Sequence, residues 1–208
     1  MGSTRLPFVA LALGVLSVAV PPQTFAQDLE PPAHLSYAEG LVTLERESQS
    51  DEANAGTVLL PGDRLRTSAG RAEILFPDGS VLAIDEYTVL DLLDRALLRL
   101  TAGRTRLTVI GAADPAAAVR YQIDTPSSSV STEGPGEYRV VVASFPSGTE
   151  TELSVLHGYA VIATDRSSVR VRSGEQSTAR PGFAPSFPRS FNAARYDGFD
   201  QWADQRRD

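Results

Sequence analysis

A serine, a histidine and an aspartate lie near one another in the sequence, at Ser154, His157 and Asp165. These are the three residue types of hydrolytic triads, in which a base activates a serine nucleophile. The chain has no G-x-S-x-G segment, the sharp turn that presents such a serine. Because His157 directly precedes Gly158 at a predicted turn, we interpret it as a turn histidine with its ring partly in solvent. We therefore predict no catalytic residues and no enzymatic activity.

The densest group of carboxylates lies at Asp85, Glu86, Asp91 and Asp94. Paired carboxylates can hydrolyse glycosidic bonds, and oxygen-rich loops can bind calcium. No D-x-[DN]-x-[DN]-G loop is present in the sequence, so we interpret the group as a solvated acidic face. A weak calcium site and a catalytic pair are the alternatives. We predict neither a metal nor another cofactor.

Composition excludes further classes of protein. All 19 basic residues are arginines and the cysteine count is 0, so a Schiff-base lysine, a thiol nucleophile, a disulfide and a zinc–thiolate site are all ruled out. Two histidines are too few for a multi-histidine metal centre. The net charge of −7 disfavours binding to the phosphate backbone of nucleic acids. The partner is therefore expected to be something other than a nucleic acid.

The first 26 residues have the layout of a secretory signal peptide. Arg5 precedes an almost wholly apolar stretch at residues 6–20, and Thr24 and Ala26 stand at −3 and −1 of a cleavage site. The apolar stretch of about 15 residues is shorter than the roughly 20 that span a membrane. We predict cleavage after Ala26, a periplasmic or secreted protein, and no membrane span after cleavage. An uncleaved anchor is the alternative.

The elements that would position these side chains are strands. The pattern apolar–x–apolar–x–x–Gly occurs five times, ending at Gly40, Gly79, Gly103, Gly158 and Gly174. Alternation before a glycine is typical of a half-buried strand that ends in a turn, where the glycine supplies a positive φ. The sequence therefore predicts an all-β fold, a two-layer sandwich or roll of short antiparallel strands. Residues 85–97 could instead form a helix, although their β-branched residues and closing glycine favour strands.

Six of the aromatic residues cluster near the end of the chain, at Phe183, Phe187, Phe191, Tyr196, Phe199 and Trp202. Prolines keep the first part of this segment extended. Asp197 can cap a short C-terminal helix that brings Phe199 and Trp202 onto one face. Docking of this face on the protein's own strands is the preferred interpretation, and binding to a partner is the alternative. Phe199 and Trp202 are thus the candidate interaction residues.

Several segments, in this order along the chain, resemble the FecR domain. They are G-D-x-L-x-T at residues 62–67, D-G-S at 78–80, LLRLTAGRTRLTV at 97–109, YQIDTPSSSVSTEGPGEYRVVV at 121–142, LSVLHGYAVI at 153–162 and VRVRSGEQ at 169–176. The tail segment RYDGFDQWADQRR is similar to an F-D-x-W segment that closes this region in a group of exported bacterial proteins. The resemblance covers roughly residues 35–180.

The resemblance implies an all-β periplasmic module. In signalling members of the family, that module relays the occupancy of an outer-membrane receptor through a single-span protein to a cytoplasmic sigma factor. This sequence shows no cytoplasmic anti-sigma segment and no internal membrane helix, so the resemblance leaves open whether the chain takes part in sigma-factor signalling. The resemblance carries over no catalytic residue.

The expected organisation is a signal peptide at 1–26, a proline-rich lead-in at 27–34, a FecR-like β domain at 35–180 and an aromatic-rich tail with a short helix at 181–208. We predict an exported, non-enzymatic FecR-like module that mediates protein–protein or cell-envelope interaction, with envelope signalling as one setting for it and an unidentified envelope protein as its partner. A periplasmic sensor for a small molecule or a cell-wall sugar is the alternative.

Overall fold

The computed structural model describes Gly2 and residues 31–111, 119–191 and 197–206. The predicted signal peptide, apart from Gly2, and residues 27–30 of the proline-rich lead-in lie outside these ranges. The described elements are β1 (His34–Arg46), β2 (Gln49–Glu52), β3 (Arg64–Leu75), β4 (Val81–Ile84), β5 (Val89–Asp94), β6 (Leu97–Val109), β7 (Gln122–Asp124), β8 (Ser129–Thr132), β9 (Gly136–Phe145), β10 (Gly148–His157), β11 (Tyr159–Ala163), β12 (Ser168–Arg172), β13 (Glu175–Ala179), β14 (Arg189–Ser190) and α1 (Gly198–Gln205).

The all-β fold with a short C-terminal helix is confirmed. No helix within the described ranges is long and apolar enough to cross a membrane. Residues 89–94 form strand β5 and residues 97–109 form strand β6, so the helical alternative for 85–97 is wrong. Leu90 and Leu92 alternate into the core along β5, which a strand permits and which stabilises this arrangement.

One sheet folds over itself to give the layers of the fold. Its strand order is β12-β11-β8-β7-β6-β4-β3-β1-β2, and β5, β9, β10, β13 and β14 branch from this path. Strand β6 pairs with β5 through residues 97–102 and with β4 and β9 through residues 103–109. Almost all pairs are antiparallel, as predicted, whereas the short β6–β7 pair is parallel.

Two of the five repeat glycines bend a strand instead of ending it. Gly40 lies within β1 and Gly103 within β6, so the prediction of a turn at these positions is wrong. At Gly103, φ is +91° and an added Cβ would lie 2.5 Å from Thr88 Cα. The chain must pass this close for β6 to change partners without interruption. The remaining repeat glycines lie between strands at positive φ, as predicted: Gly79, Gly158 and Gly174.

A single hydrophobic cluster fills the interior and draws residues from both halves of the chain, from Leu35 on β1 to Ala179 on β13. The rings of Phe76 and Tyr121 lie 5.0 Å apart within it. Because successive side chains of a strand point to opposite faces, each strand that fills this core also presents an outer face. The outer face of β4, β6 and β9 positions the site described next.

Candidate functional site

The C-terminal helix lies on a row of residues that the strand register places side by side. Ala83 on β4 is opposite Arg106 on β6, and Arg106 is opposite Arg139 on β9. Their neighbours along the strands, Leu107 and Val140 among them, belong to the hydrophobic core. Alternation therefore puts Ala83 and the two arginines on the outer face.

The helix α1 begins as the sequence predicts. The Asp197 side chain accepts hydrogen bonds from the backbone N–H groups of Phe199 and Asp200, which satisfies donors that the first helical turn leaves free. Phe199 is only 1% exposed and packs with Ala203 against Ala83, and Trp202 is half-buried at the same contact. The apolar side of α1 is thus seated on the protein's own sheet.

Arg106 is the centre of a buried ion-pair network beneath the helix. Its side chain is 2% exposed, and its Nε lies 2.5 Å from Glu137 Oε1 on β9. Its guanidinium also donates to the Asp200 carbonyl oxygen at 3.0 Å and to Asp204 Oδ1 at 2.7 Å, both on α1. Burial alone lowers the pKa of Arg106, but the hydrogen bond to Glu137 and the surrounding carboxylates outweigh it and raise the pKa. The guanidinium therefore stays charged.

Two further arginines bind the helix from the sheet. Arg139 Nη1 donates to Asp200 Oδ2 at 2.9 Å, and Arg104 pairs with Asp197 at the helix start and with Asp85 at 2.5 Å. Burial raises the pKa of Asp197, but hydrogen bonds from Arg104 and from backbone N–H groups prevail and hold that pKa below its ordinary value. Arg71 completes the set because its Nε donates to Asp85 at 2.9 Å. We call Arg71, Arg104, Arg106 and Arg139, together with Ala83, the arginine seat.

Aromatic rings of α1 also contact these cations. The guanidinium carbon of Arg104 lies 4.7 Å from the centroid of the Phe199 ring, and that of Arg71 lies 5.8 Å from Trp202. The Trp202 ring is 6.1 Å from Tyr37 on β1. Cations at such distances are attracted to the negative face of an aromatic ring. The seat thus recognises both the carboxylates and the rings of the helix.

The structure places both predicted interaction residues, Phe199 and Trp202, in this intramolecular contact. Their role in binding a partner stays a prediction. Tyr196, another member of the aromatic cluster, lies outside the described residues. The first part of the tail has a different environment, because Phe183 is 68% exposed and Phe187 is 91% exposed.

Phe183 lines a groove of about 470 Å³ together with Phe145, which ends β9 and is half-exposed. Pro146 and Pro181 form apolar walls, and Arg180 and Glu150 lie at the edge as an ion pair of 2.5 Å. The groove joins the β9–β10 hairpin to the segment that follows β13. We give the name exposed aromatic surface to the rings of Phe145 and Phe183 at this groove together with the exposed ring of Phe187, four residues further along the tail.

The possible triad is not assembled. Ser154 is buried and its hydroxyl lies 3.3 Å from Glu152, whereas the His157 side chain is 76% exposed and faces Glu137 at 4.0 Å. Asp165 lies in the β11–β12 connection beside Arg166. Each residue thus has a different neighbour, and no hydrogen bond between them occurs in the described part of the chain.

The interpretation of the carboxylate cluster as a solvated acidic face is wrong for Asp85 and Asp91, whereas Glu86 and Asp94 are exposed as expected. Asp91 is buried and forms a bidentate ion pair with Arg64, whose Nε donates to Oδ1 at 2.5 Å and whose Nη2 donates to Oδ2 at 3.0 Å. Asp85 binds Arg71 and Arg104 at the seat. Strand pairing brings these arginines to the carboxylates from distant parts of the chain. Within the described ranges, no group of three or more potential ligands is arranged to hold a metal ion.

Sequence reasoning missed the arginine seat and the exposed aromatic surface. One signal for the seat was present: Asp197, Asp200 and Asp204 recur at i, i+3 and i+7 and so share a helix face. A row of acids beside two aromatics is complementary to a row of arginines. Sequence reasoning did not separate the exposed Phe183 and Phe187 from the buried Phe199, although prolines accompany the first two and aspartates the third.

Comparison with known proteins finds a match to one family model and a similarity to solved structures. Residues 63–161 match the family model described as FecR protein. Two crystal structures of a candidate anti-sigma factor from Parabacteroides distasonis ATCC 8503 are similar to the chain at 16% identity, with TM-scores of 0.51 and 0.50. The matches cover 64% and 62% of this chain, and 61% and 60% of those chains. At this identity the likeness shows a shared fold. No curated protein matches the chain.

Proposed function

Since residues 63–161 match the family model of FecR protein, we propose that the chain is an exported, non-enzymatic module that mediates protein–protein or cell-envelope interaction in envelope signalling. The family match and the fold shared with a candidate anti-sigma factor support a signalling role. The signal-peptide pattern of residues 1–26 supports export to the periplasm or outside the cell. The proposed partner is a protein of the envelope.

One observation carries this proposal, the exposed aromatic surface. Large apolar side chains that stay exposed on a folded protein mark sites of interaction. Phe183 and Phe187 are the two most exposed phenylalanines of the described chain, and Phe145 adds a third ring beside the groove. Aromatic side chains contribute strongly to binding at protein interfaces. Prolines on both sides hold the backbone extended, so little conformational entropy is lost on binding.

The absence of catalysis is part of the proposal, and the charged residues support it. Asp85, Asp91 and Glu137 form short pairs with arginines of neighbouring strands. A carboxylate whose oxygens accept hydrogen bonds from a guanidinium already has those oxygens engaged within the fold. These groups therefore serve the fold and the helix contact.

The test is capture of envelope proteins by three forms of the mature chain: wild type, the double variant Phe183→Ser, Phe187→Ser, and the control Leu41→Ser. Leu41 is half-exposed and lies on β1, away from the exposed aromatic surface in the sequence. We expect a protein that wild type and Leu41→Ser capture equally and that the double variant loses. Equal capture by all three forms would contradict the role of the surface. Binding of wild type to protein-free lipid vesicles would indicate that the module binds the membrane itself and not an envelope protein.

A second candidate function, a small-molecule sensor, is favoured by one groove. Glu45, Glu47, Arg64 and Asp91 line a polar space of about 460 Å³ beside the β1–β2 hairpin. This volume lies within the roughly 300–1,000 Å³ of small-ligand sites. If this function holds, a soluble N-acetylglucosamine oligomer will raise the melting temperature of wild type and leave that of Glu47→Gln unchanged. No shift in wild type would contradict sugar binding.

A further inference from the structure

The arginine seat can attract acidic and aromatic groups other than those of α1. Arg71 and Arg104 keep Asp85 as a partner on the sheet, and Arg106 keeps Glu137. Arg139 instead pairs with Asp200 of the helix. With α1 away, Arg139 would keep its contact with the Phe191 ring but lose its ion pair with Asp200, beside other arginines and on a protein whose net charge is −7. Such a face attracts acidic groups, and its apolar centre attracts aromatic ones.

The contact that α1 makes with the seat is incomplete. The helix has eight residues, too few to be stable without its docking. Arg139 Nε, buried in the contact, has no hydrogen-bond partner among the described residues, and Asp200 Oδ1 makes only a longer ion-pair contact, with Arg106 Nη1 at 3.6 Å. Buried polar atoms are usually paired, and an unpaired one weakens the contact. A different helix could satisfy Arg139 better than α1 does.

We propose that the arginine seat is a receptor for an acidic amphipathic helix of a second, different protein, which takes the place of α1. The expected partner helix carries carboxylates at i, i+3 and i+7, like Asp197, Asp200 and Asp204, and aromatic residues at i+2 and i+5, like Phe199 and Trp202. This surface is separate from the exposed aromatic surface, so the proposal stands or fails independently of it.

The covalent link between α1 and its own seat makes the α1 helix of a second copy an unfavourable occupant. A helix joined to its seat by a short segment acts at an effective concentration of about millimolar. The α1 helix of another copy would make the same contacts without that advantage. A partner must therefore offer more contacts than α1, through a longer apolar stripe or a group that binds Arg139 Nε. Such a partner would be a different protein with a longer helix.

The experiment uses the full chain with Phe199→Ala, a change that removes the main apolar contact of α1. Red-shifted emission of Trp202, the chain's one tryptophan, reports that α1 has left the seat. Far-ultraviolet circular dichroism reports that the strands remain folded. If emission shows α1 still seated, the double variant Phe199→Ser, Ala203→Glu takes the same test. The probe is a fluorescein-labelled peptide with the native sequence of residues 197–206.

We expect the peptide to bind the unseated variant at least about tenfold more tightly than it binds wild type, whose seat is occupied. A control peptide with asparagine at the positions of Asp200 and Asp204 should bind about tenfold more weakly than the native peptide. Adding Arg139→Gln to the unseated variant should weaken binding of the native peptide. Equal binding of both peptides, or no binding to the folded, unseated chain, would overturn the proposal. A wild-type dimer formed by exchange of α1 would overturn the choice of a different protein as occupant.

Discussion

Phe187 and Phe199 belong to the same aromatic tail and differ completely in environment. Phe187 is 91% exposed, whereas Phe199 is 1% exposed beneath the arginine seat. The two segments also differ in their other residues. Prolines surround Phe187 and hold an extended chain, while Asp197, Asp200 and Asp204 surround Phe199 on a helix. Where an aromatic residue lies is therefore decided by the residues beside it.

Electrostatic complementarity explains the difference between the two segments. Burying Phe199 also buries carboxylates, which is costly unless each finds a charged partner. Arg104, Arg106 and Arg139 supply those partners from β6 and β9. In the segment that holds Phe183 and Phe187, Arg180 pairs with Glu150 at the edge of the groove. No row of charges seats that segment on the sheet, and its rings remain available to a partner.

The largest expected effect tests the network beneath the helix. Arg106→Ala leaves the buried Glu137 and Asp200 without their central partner, and breaking such a buried pair costs about 3–5 kcal/mol. The free energy of unfolding in denaturant measures this loss. Arg170→Ala is the control, because Arg170 pairs with Glu133 while 55% exposed, and such pairs contribute at most about 1 kcal/mol. Equal losses in the two variants would contradict the central role of the network.

The next effect concerns Phe199 itself. Phe199→Ala should weaken docking of α1 by about 3–5 kcal/mol, the usual cost of truncating a buried phenylalanine. Because α1 is at the end of the chain, the loss appears as a red shift of Trp202 emission in a protein that keeps its strands. Phe183→Ala should leave the emission unchanged. A Trp202 spectrum that is the same in both variants would show that α1 is held by charges alone.

Sequence reasoning was sufficient for the local features of this comparison. Alternation before the repeat glycines predicted the strands, and Asp197 predicted the start of α1 because capping depends only on neighbouring residues. The apolar–x–apolar–x–x–Gly pattern, which occurs five times, did not distinguish a glycine that bends a strand, Gly103 on β6, from one that ends a strand, Gly79. That distinction depends on Thr88, which strand pairing brings against Gly103.

The arginine seat could not be predicted in the same way. Arg106 and Arg139 are neighbours only because β6 pairs with β9 in one register, and a shift of one residue would put the two side chains on opposite faces of the sheet. The pair of Asp91 and Arg64 could not be predicted either, because the two residues meet only when β3 pairs with β5. A sequence shows that arginines alternate with apolar residues. It does not show which carboxylates they will meet.

A smaller effect is expected at Trp202, which is half-buried. Trp202→Ala should destabilise docking by about 1–2 kcal/mol, a part of the 1.5–3 kcal/mol that full burial of a large side chain contributes. Trp202→Phe should recover most of the loss, because a smaller ring still packs beside Phe199 and Tyr37. The melting temperature of the two variants measures the difference. Identical melting temperatures for Trp202→Ala and wild type would indicate that this side chain serves partner binding and does not stabilise the fold.

Lowering the pH should release α1 from the arginine seat before it affects the segment that holds Phe183 and Phe187. Arg104 and backbone N–H groups hold the pKa of Asp197 below its ordinary value of 3.8, despite the opposing effect of burial. A lowered pKa in the folded state gives stability that is present above the ordinary pKa and is lost as the pH falls through the lowered value. Trp202 emission should therefore stay blue-shifted down to about pH 4 and shift to the red below it. Arg104→Gln should move this transition to higher pH, and an unchanged transition would exclude Asp197 as its cause.

The smallest effect on stability is expected in the exposed segment, at the residues proposed to matter most for binding. Phe183→Ser with Phe187→Ser removes two rings that make little contact with the fold, so the free energy of unfolding should change by no more than about 0.5 kcal/mol. Loss of an exposed apolar patch should also lower non-specific association, which light scattering at high concentration can measure. Unchanged stability with lost capture of an envelope protein would assign the two ends of the tail to different tasks, Phe199 to the fold and Phe183 and Phe187 to the partner. A fall in stability as large as that of Phe199→Ala would show that the exposed rings are covered in solution, and the contrast between the two segments would no longer hold.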